Sequence, residues 1–108
     1  MKRGDVITIA GDGGYASKPR PAIVVQSDLF NPTHASVTVV PVTSTLIDAE
    51  LFRIDLSPSK TNALKVKSQA MIDKIVSVRR DRIGGVVGSL TAAELDRIDD
   101  ALRLWLAV

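Results

Sequence analysis

Residues Lys18 to Thr45 read KPRPAIVVQSD, LFNPTHAS and VTVVPVTST. Two apolar runs rich in β-branched residues, Ala22–Val25 and Val37–Val40, flank a turn-prone segment containing Asn31-Pro32. That pattern predicts two neighbouring antiparallel strands joined by a loop. The first is approached through Arg20-Pro21, and the second is left through Pro41-Val42-Thr43-Ser44. Antiparallel neighbours set the start of one strand beside the end of the other, so Arg20 is predicted to lie close to Thr43 and Ser44. A guanidinium with forked donors beside two hydroxyls is a grip for a phosphate.

Working outward, Val6–Ile9 reads as a short first strand after the turn residues Gly4-Asp5. Arg3-Gly4-Asp5 matches an adhesion tripeptide in letters only, and its place before a strand marks a structural turn. The polar stretch from Gly11 to Lys18 lacks the Gly-Lys-Ser/Thr ending of a Walker loop. Its glycines suit a flap better than a phosphate cradle. Phe52, Ile54 and Leu56 share one face of a further strand, and Ser57–Asn62 is rich in turn formers. Val66–Ile72 and Ile75–Val78 are strand candidates separated by Asp73-Lys74; Val66, Ser68, Ala70 and Ile72 alternate with Lys67, Gln69 and Met71, so the first reads as half-buried. A short final strand, Val86-Val87, stands among Gly84, Gly85 and Gly88.

Thr91-Ala92-Ala93-Glu94 is a capping box with Leu90 and Leu95 placed as a hydrophobic staple. Leu95, Ile98, Leu102, Trp105 and Leu106 then follow helical spacing, with Asp99 and Arg103 set for an i,i+4 pair outside. Many short strands closed by one terminal helix predict a mainly β fold, a strongly bent antiparallel sheet or small barrel, in a single domain over 1–108. A chain of this length buries about 65% of the surface its unfolded form exposes.

Composition excludes several chemistries. With no cysteine there is no disulfide framework, thiolate zinc site or cysteine nucleophile. His34, the one histidine, cannot form a two-histidine acid–base pair, and no carboxylate cluster accompanies it for a metal site. It reads as an exposed loop residue opposite the Arg20 end. The start MKRGDVITIA does not form a signal peptide, and no apolar run nears the ~20 residues of a membrane span. A cytoplasmic protein is expected. Residues 51–82 hold eight basic groups against three acidic, while 91–108 hold four acidic against two basic. The asymmetry permits a polyanion on one face, though a charged stretch is commonly only a solvated one.

RGDV at Arg3–Val6, RPAIVVQSD at Arg20–Asp28, VVPVTS at Val39–Ser44 and the segment Ile72–Leu102 resemble the MazF/PemK family of bacterial toxins, in its order and spacing over nearly the whole chain. The resemblance implies the SH3-like barrel shared by MazF/PemK and CcdB toxins. It implies a sequence-specific, metal-independent endoribonuclease that cuts single-stranded mRNA through the ribose 2′-hydroxyl, leaving a 2′,3′-cyclic phosphate and a 5′-hydroxyl. No cofactor is implied. The implied partners are RNA, a cognate antitoxin with a disordered tail, and a second copy in a homodimer.

Arg20 and Thr43 match the positions of the family's catalytic arginine and threonine. Arg20 alone reads as an ordinary surface residue; with the match, its role is electrostatic, on a phosphate whose charge grows in the transition state. Acid–base chemistry by Arg20 is the weaker assignment, since a guanidinium with a pKa above ~12 gives up a proton reluctantly. Thr43 and Ser44 can each donate to a phosphate oxygen, or serve only β-propensity and local turn bonding. Asp73 matches an acidic position of the family; it could orient Arg20, meet RNA or cap a turn. The first loop departs from many members by placing Tyr15-Ala16-Ser17-Lys18 where Glu, Gln or His precedes the Arg-Pro. Asp12, a water or the substrate itself is left as general base. Tyr15 can stack on a base, and Lys18, Lys65 and Lys67 can follow the backbone or be mere surface charge.

Two other readings stay open. VVQSD also echoes CcdB-like gyrase poisons, which catalyse nothing; those end in Trp-Gly-Ile, whereas here Trp105 precedes Leu106-Ala107-Val108 and falls on the apolar stripe. A non-cleaving family member that only binds its antitoxin is the other.

Overall fold

The fold is described for residues 1–11 and 18–108 in a computed structural model. The expectations at Asp12 and Tyr15 lie outside the described residues. Seven strands run in the order β1 (Asp5–Ile9), β2 (Arg20–Val24), β3 (Ser36–Thr43), β4 (Arg53–Leu56), β5 (Ser68–Met71), β6 (Val76–Arg79) and β7 (Ile83–Ser89), followed by helix α1 (Ala92–Leu106). Two 3₁₀ turns, Ile72–Lys74 and Arg80–Arg82, flank β6. All pairings are antiparallel, in the spatial order β4-β5-β3-β2-β1-β7, with β6 also on β3.

The β2–β3 pair is the wall between two cores. Ile23, Val25, Val40 and Val42 face a cluster with Leu56, Ala70, Ile72 and the helix residues Ile98 and Leu102. Ala22, Val24, Val37 and Val39 face the other way, against Ile7. Burial on both faces requires apolar residues at successive positions, which is why these strands read as continuous runs rather than as alternation. Their side chains are almost wholly buried, each contributing about 1.5–3 kcal/mol relative to exposure.

Along β3 the partner changes. Ser36–Val39 pair with β6, whereas Val42 and Thr43 pair with β5. Pro41, which has no N–H to offer, falls in the gap between the two ladders. The sheet bends there, so β5 and β6 peel off one edge in different directions.

Helix α1 starts as its sequence predicts. Thr91 Oγ1 accepts from the Glu94 N–H at 3.2 Å, and Glu94 Oε1 accepts from the Thr91 N–H at 2.9 Å. Leu90 and Leu95 both pack on the larger core. Two expectations for the helix are corrected. Asp99 does not pair with Arg103: it takes a two-pronged bond from Arg3, at 2.6 and 3.1 Å, while Arg103 turns to Asp100. Arg3 also donates through Nε to the Val25 carbonyl, so a partly buried fork ties the chain start to the helix, a geometry that outweighs an exposed i,i+4 pair. Trp105, expected on the buried stripe, is half exposed and tilts against Phe52 with ring centroids 6.0 Å apart.

The Arg3–Asp5 segment is the structural turn expected. The Asp5 N–H donates to the Lys2 carbonyl, with Gly4 at φ 93°, a conformation that favours glycine. His34 is exposed in the β2–β3 loop, as expected. Asp28 in that loop accepts from the Arg3 N–H and the Asn31 amide, which hold its carboxyl below the usual range.

β7 is longer than its Val86-Val87 kernel, because backbone pairing with β1 carries the glycines along. Gly88 packs directly under the 57–64 loop: an added Cβ would stand 2.6 Å from the Thr61 carbonyl oxygen and 2.7 Å from the Asn62 carbonyl carbon. That loop cannot yield easily. The buried Asn62 side chain bonds to Ser59, Leu64, Ser57 and Glu94. Gly88→Ala is expected to destabilise the fold by about 1–3 kcal/mol, read as a lower denaturant midpoint; an unchanged midpoint would contradict this packing.

Candidate active site

Arg20 begins β2, where its Cα partner on β1 is Ile9. On the other side, the β2–β3 ladder runs Val24↔Val39, Ile23↔Val40, Ala22↔Pro41. Continued two positions in the same register, it sets Arg20 opposite Thr43, at corresponding ends of adjacent strands. Beyond Pro41, β3 turns toward β5, with Thr43 paired to Gln69.

Arg20 is exposed and makes no hydrogen bond or ion pair among the described residues. Thr43 is half-buried, and its Oγ1 accepts from the Thr45 N–H at 3.1 Å. That bond fixes the hydroxyl as an acceptor and leaves its own proton free to donate outward. Ser44 follows, exposed. A permanently charged fork at one strand end and an oriented hydroxyl at the other are donors suited to phosphate oxygens.

Lys18 is exposed just ahead of β2. Lys67, two residues before Gln69, continues β5 along the Thr43 edge; its Nζ stands 3.9 Å from Asp55 with both side chains more than half exposed. A pair so exposed contributes little to stability, so the ammonium remains available to a polyanion. Lys65 is exposed in the same approach segment. Asp73 lies elsewhere, in the 3₁₀ turn beyond the far end of β5. It makes no bond to Arg20 and caps no turn through its side chain; its Oδ1 is buried without a partner. By strand register Arg20 and Thr43 fall at adjoining ends of β2 and β3, Ser44 follows Thr43, Lys67 precedes β5, and Asp73 follows it.

Gln69 is the feature that alternation hides. It is buried, on the face opposite to Ala70. Its Oε1 accepts from the Ile47 N–H and from Arg53 Nη1, and its Nε2 donates to the Ile47 carbonyl and to Asp55. Arg53 Nη1 also reaches the Thr45 carbonyl at 3.2 Å. The amide stands in for a strand partner and fixes the 44–50 segment beside Thr43. No sequence signal marks this, because a glutamine alternating with apolar residues reads as exposed. At the end of β1, Arg82 Nη2 donates to the Ala10 carbonyl at 2.8 Å.

Among the described residues no cluster of three or more His, Asp or Glu could hold a metal ion, and no helix is long and apolar enough to cross a membrane.

A bent antiparallel sheet of seven strands with one C-terminal helix defines a small, mainly β protein. The chain belongs to the PemK-like, MazF-like toxins of type II toxin–antitoxin systems, whose family profile matches residues 2–106. It is 43% identical over 108 residues to a probable endoribonuclease MazF of Mycolicibacterium smegmatis, covering 100% of this chain and 98% of that protein. It is 36% identical over 114 residues to endoribonuclease MazF9 of Mycobacterium tuberculosis, covering 98% and 96%. Among solved structures, a mycobacterial endoribonuclease in complex with its cognate antitoxin superposes with a TM-score of 0.80 at 26% identity, covering 100% and 96%. A MazE–MazF complex from Deinococcus radiodurans shares the fold, with a TM-score of 0.81 at 21% identity and coverage of 100% and 96%.

Proposed function

We propose that this chain is the endoribonuclease toxin of a toxin–antitoxin pair, cutting single-stranded mRNA in the cytoplasm without a cofactor. The observation that carries the reading is that Arg20, which has no hydrogen bond or ion pair among the described residues, begins the strand whose register with β3 leads to Thr43. The substrate supplies its own nucleophile: the ribose 2′-oxygen attacks the adjacent phosphorus, a base takes the 2′ proton, and the P–O5′ bond breaks. The 5′-oxygen leaves and is protonated, and the products are a 2′,3′-cyclic phosphate and a 5′-hydroxyl. Extra negative charge gathers on the phosphoryl oxygens in the transition state. Arg20 and Thr43 meet that charge as fixed donors, which is where preorganised groups act most strongly. Ser44 adds a second hydroxyl, and Lys18, Lys65 and Lys67 follow neighbouring phosphates with salt-sensitive affinity. Asp73 takes no part in this scheme as positioned. Purified protein with excess EDTA is expected to cut a varied RNA pool and leave 5′-hydroxyl ends. An intact pool, or cutting only with added metal, would overturn the proposal.

The partners follow the same reading. A homodimer is supported by an apolar patch of Leu51, Leu104, Trp105 and Leu106, each about half exposed or more, around a cavity of about 210 Å³. Single-chain mass by sedimentation at micromolar concentration would contradict it. An antitoxin tail of acidic character would compete with RNA for the basic corner.

A further inference from the structure

Beside the Thr43 strand end lies a cavity of about 310 Å³, at the small end of ligand sites and roomy enough for one planar base. Its walls mix signs: Arg53 and Arg97 against Asp48, Glu50 and Asp55, over the apolar Ile54. Three carboxylates repel a phosphate or an acidic peptide, and two guanidiniums repel a metal ion. What suits such a wall is a neutral planar ligand with acceptors on one edge and donors on the next.

Arg53 sets the choice of ligand. Its Nη1 is engaged by the Thr45 carbonyl and Gln69. Its Nε is buried with no partner, and Nη2 makes no hydrogen bond among the described residues. Nε and Nη2 are the side-on pair of parallel donors, the arrangement that meets O6 and N7 of guanine. Asp48 and Glu50 make no hydrogen bond or ion pair among the described residues, and a carboxylate accepts from guanine N1–H and N2–H. In single-stranded RNA both edges of the base are open to such contacts. Adenine is the poorer fit, because the amide that would read it, Gln69, has its oxygen and nitrogen fully occupied within the protein. Nε is covered by protein, so Nη2 makes the first contact and full engagement requires Nε to be uncovered.

The geometry points to this cavity as a guanine-reading subsite, placed by the Thr45–Arg53 bond next to the nucleotide held at Thr43. The inference rests on the ribonuclease reading and adds the base it selects. Cleavage sites would be mapped on one long transcript made with guanosine and again with 7-deazaguanosine, which lacks the N7 acceptor. Guanine is expected at one fixed position close to the cut, and cutting at those sites is expected to fall roughly fivefold or more with the 7-deaza base. Arg53→Lys, which keeps the charge and removes the fork, is expected to cut with relaxed choice at that position. Because the substituted transcript probes the unaltered protein, the outcome does not depend on how the variant folds. Cuts with no fixed guanine, or cuts indifferent to the 7-deaza base, would overturn the subsite while leaving the ribonuclease standing; no cutting of either transcript would remove the ribonuclease reading itself.

Discussion

Replacing Arg20 with alanine is expected to lower RNA cleavage by roughly 10²–10³-fold while leaving the melting temperature unchanged. Both halves follow from the same fact. Arg20 is exposed and bonds to nothing among the described residues, so its removal frees no buried partner and opens no cavity. Arg20→Lys is expected to fall between, because an ammonium keeps the charge but cannot present two parallel donors. The comparison uses kcat/KM on a short RNA together with thermal unfolding of each variant. A cleavage loss accompanied by an equal loss of folded protein would assign Arg20 to the fold instead.

Ile98→Ala has the opposite signature. Ile98 is fully buried where the helix meets Ile23, Val40, Leu56 and Ile72. Its truncation leaves a hole that close-packed neighbours on strands and helix cannot fill, at a cost of about 2–5 kcal/mol. For a domain of this size that corresponds to a melting temperature lower by about 10 °C or more. Below the new melting point, cleavage per folded molecule is expected to stay near wild type, since Ile98 lies in the core and does not line the cavity that Arg97 of the same helix borders. A shift under about 2 °C would mean that the helix is not docked as described.

The parts of the fold legible in the sequence are those decided locally. The Thr91–Glu94 box and the Leu90–Leu95 staple involve residues within one turn of each other, so their spacing is sufficient. The β2–β3 pair was legible for a related reason: two faces buried at once leave an unmistakable apolar run at Ala22–Val25 and Val37–Val40. The expectation that Arg20 adjoins Thr43 rests on antiparallel register alone, and the β2–β3 ladder runs in that register as far as Ala22 and Pro41. What escaped is decided by distant groups. Asp99 faces solvent by helical spacing, yet Arg3, ninety-six residues earlier, claims it. Gln69 alternates like a surface residue, but the 44–50 segment folds over it and needs an amide to satisfy the Ile47 backbone. Trp105 fits the stripe by period, but the stripe outlasts the core, so its last turn projects past Phe52. The glycines of β7 conceal a seven-residue strand because pairing with β1 overrides their weak propensity.

The central claim is that Arg20 and Thr43 steady a phosphate while its own neighbouring ribose attacks it. The most direct measurement takes a short RNA carrying a mapped cleavage site and replaces only the nucleotide 5′ of the scissile phosphate with its 2′-deoxy form. This one linkage is expected to become resistant, with binding retained and the remaining sites cut as before. Continued cleavage at the deoxy position, leaving a 5′-phosphate, would show an external nucleophile and contradict it.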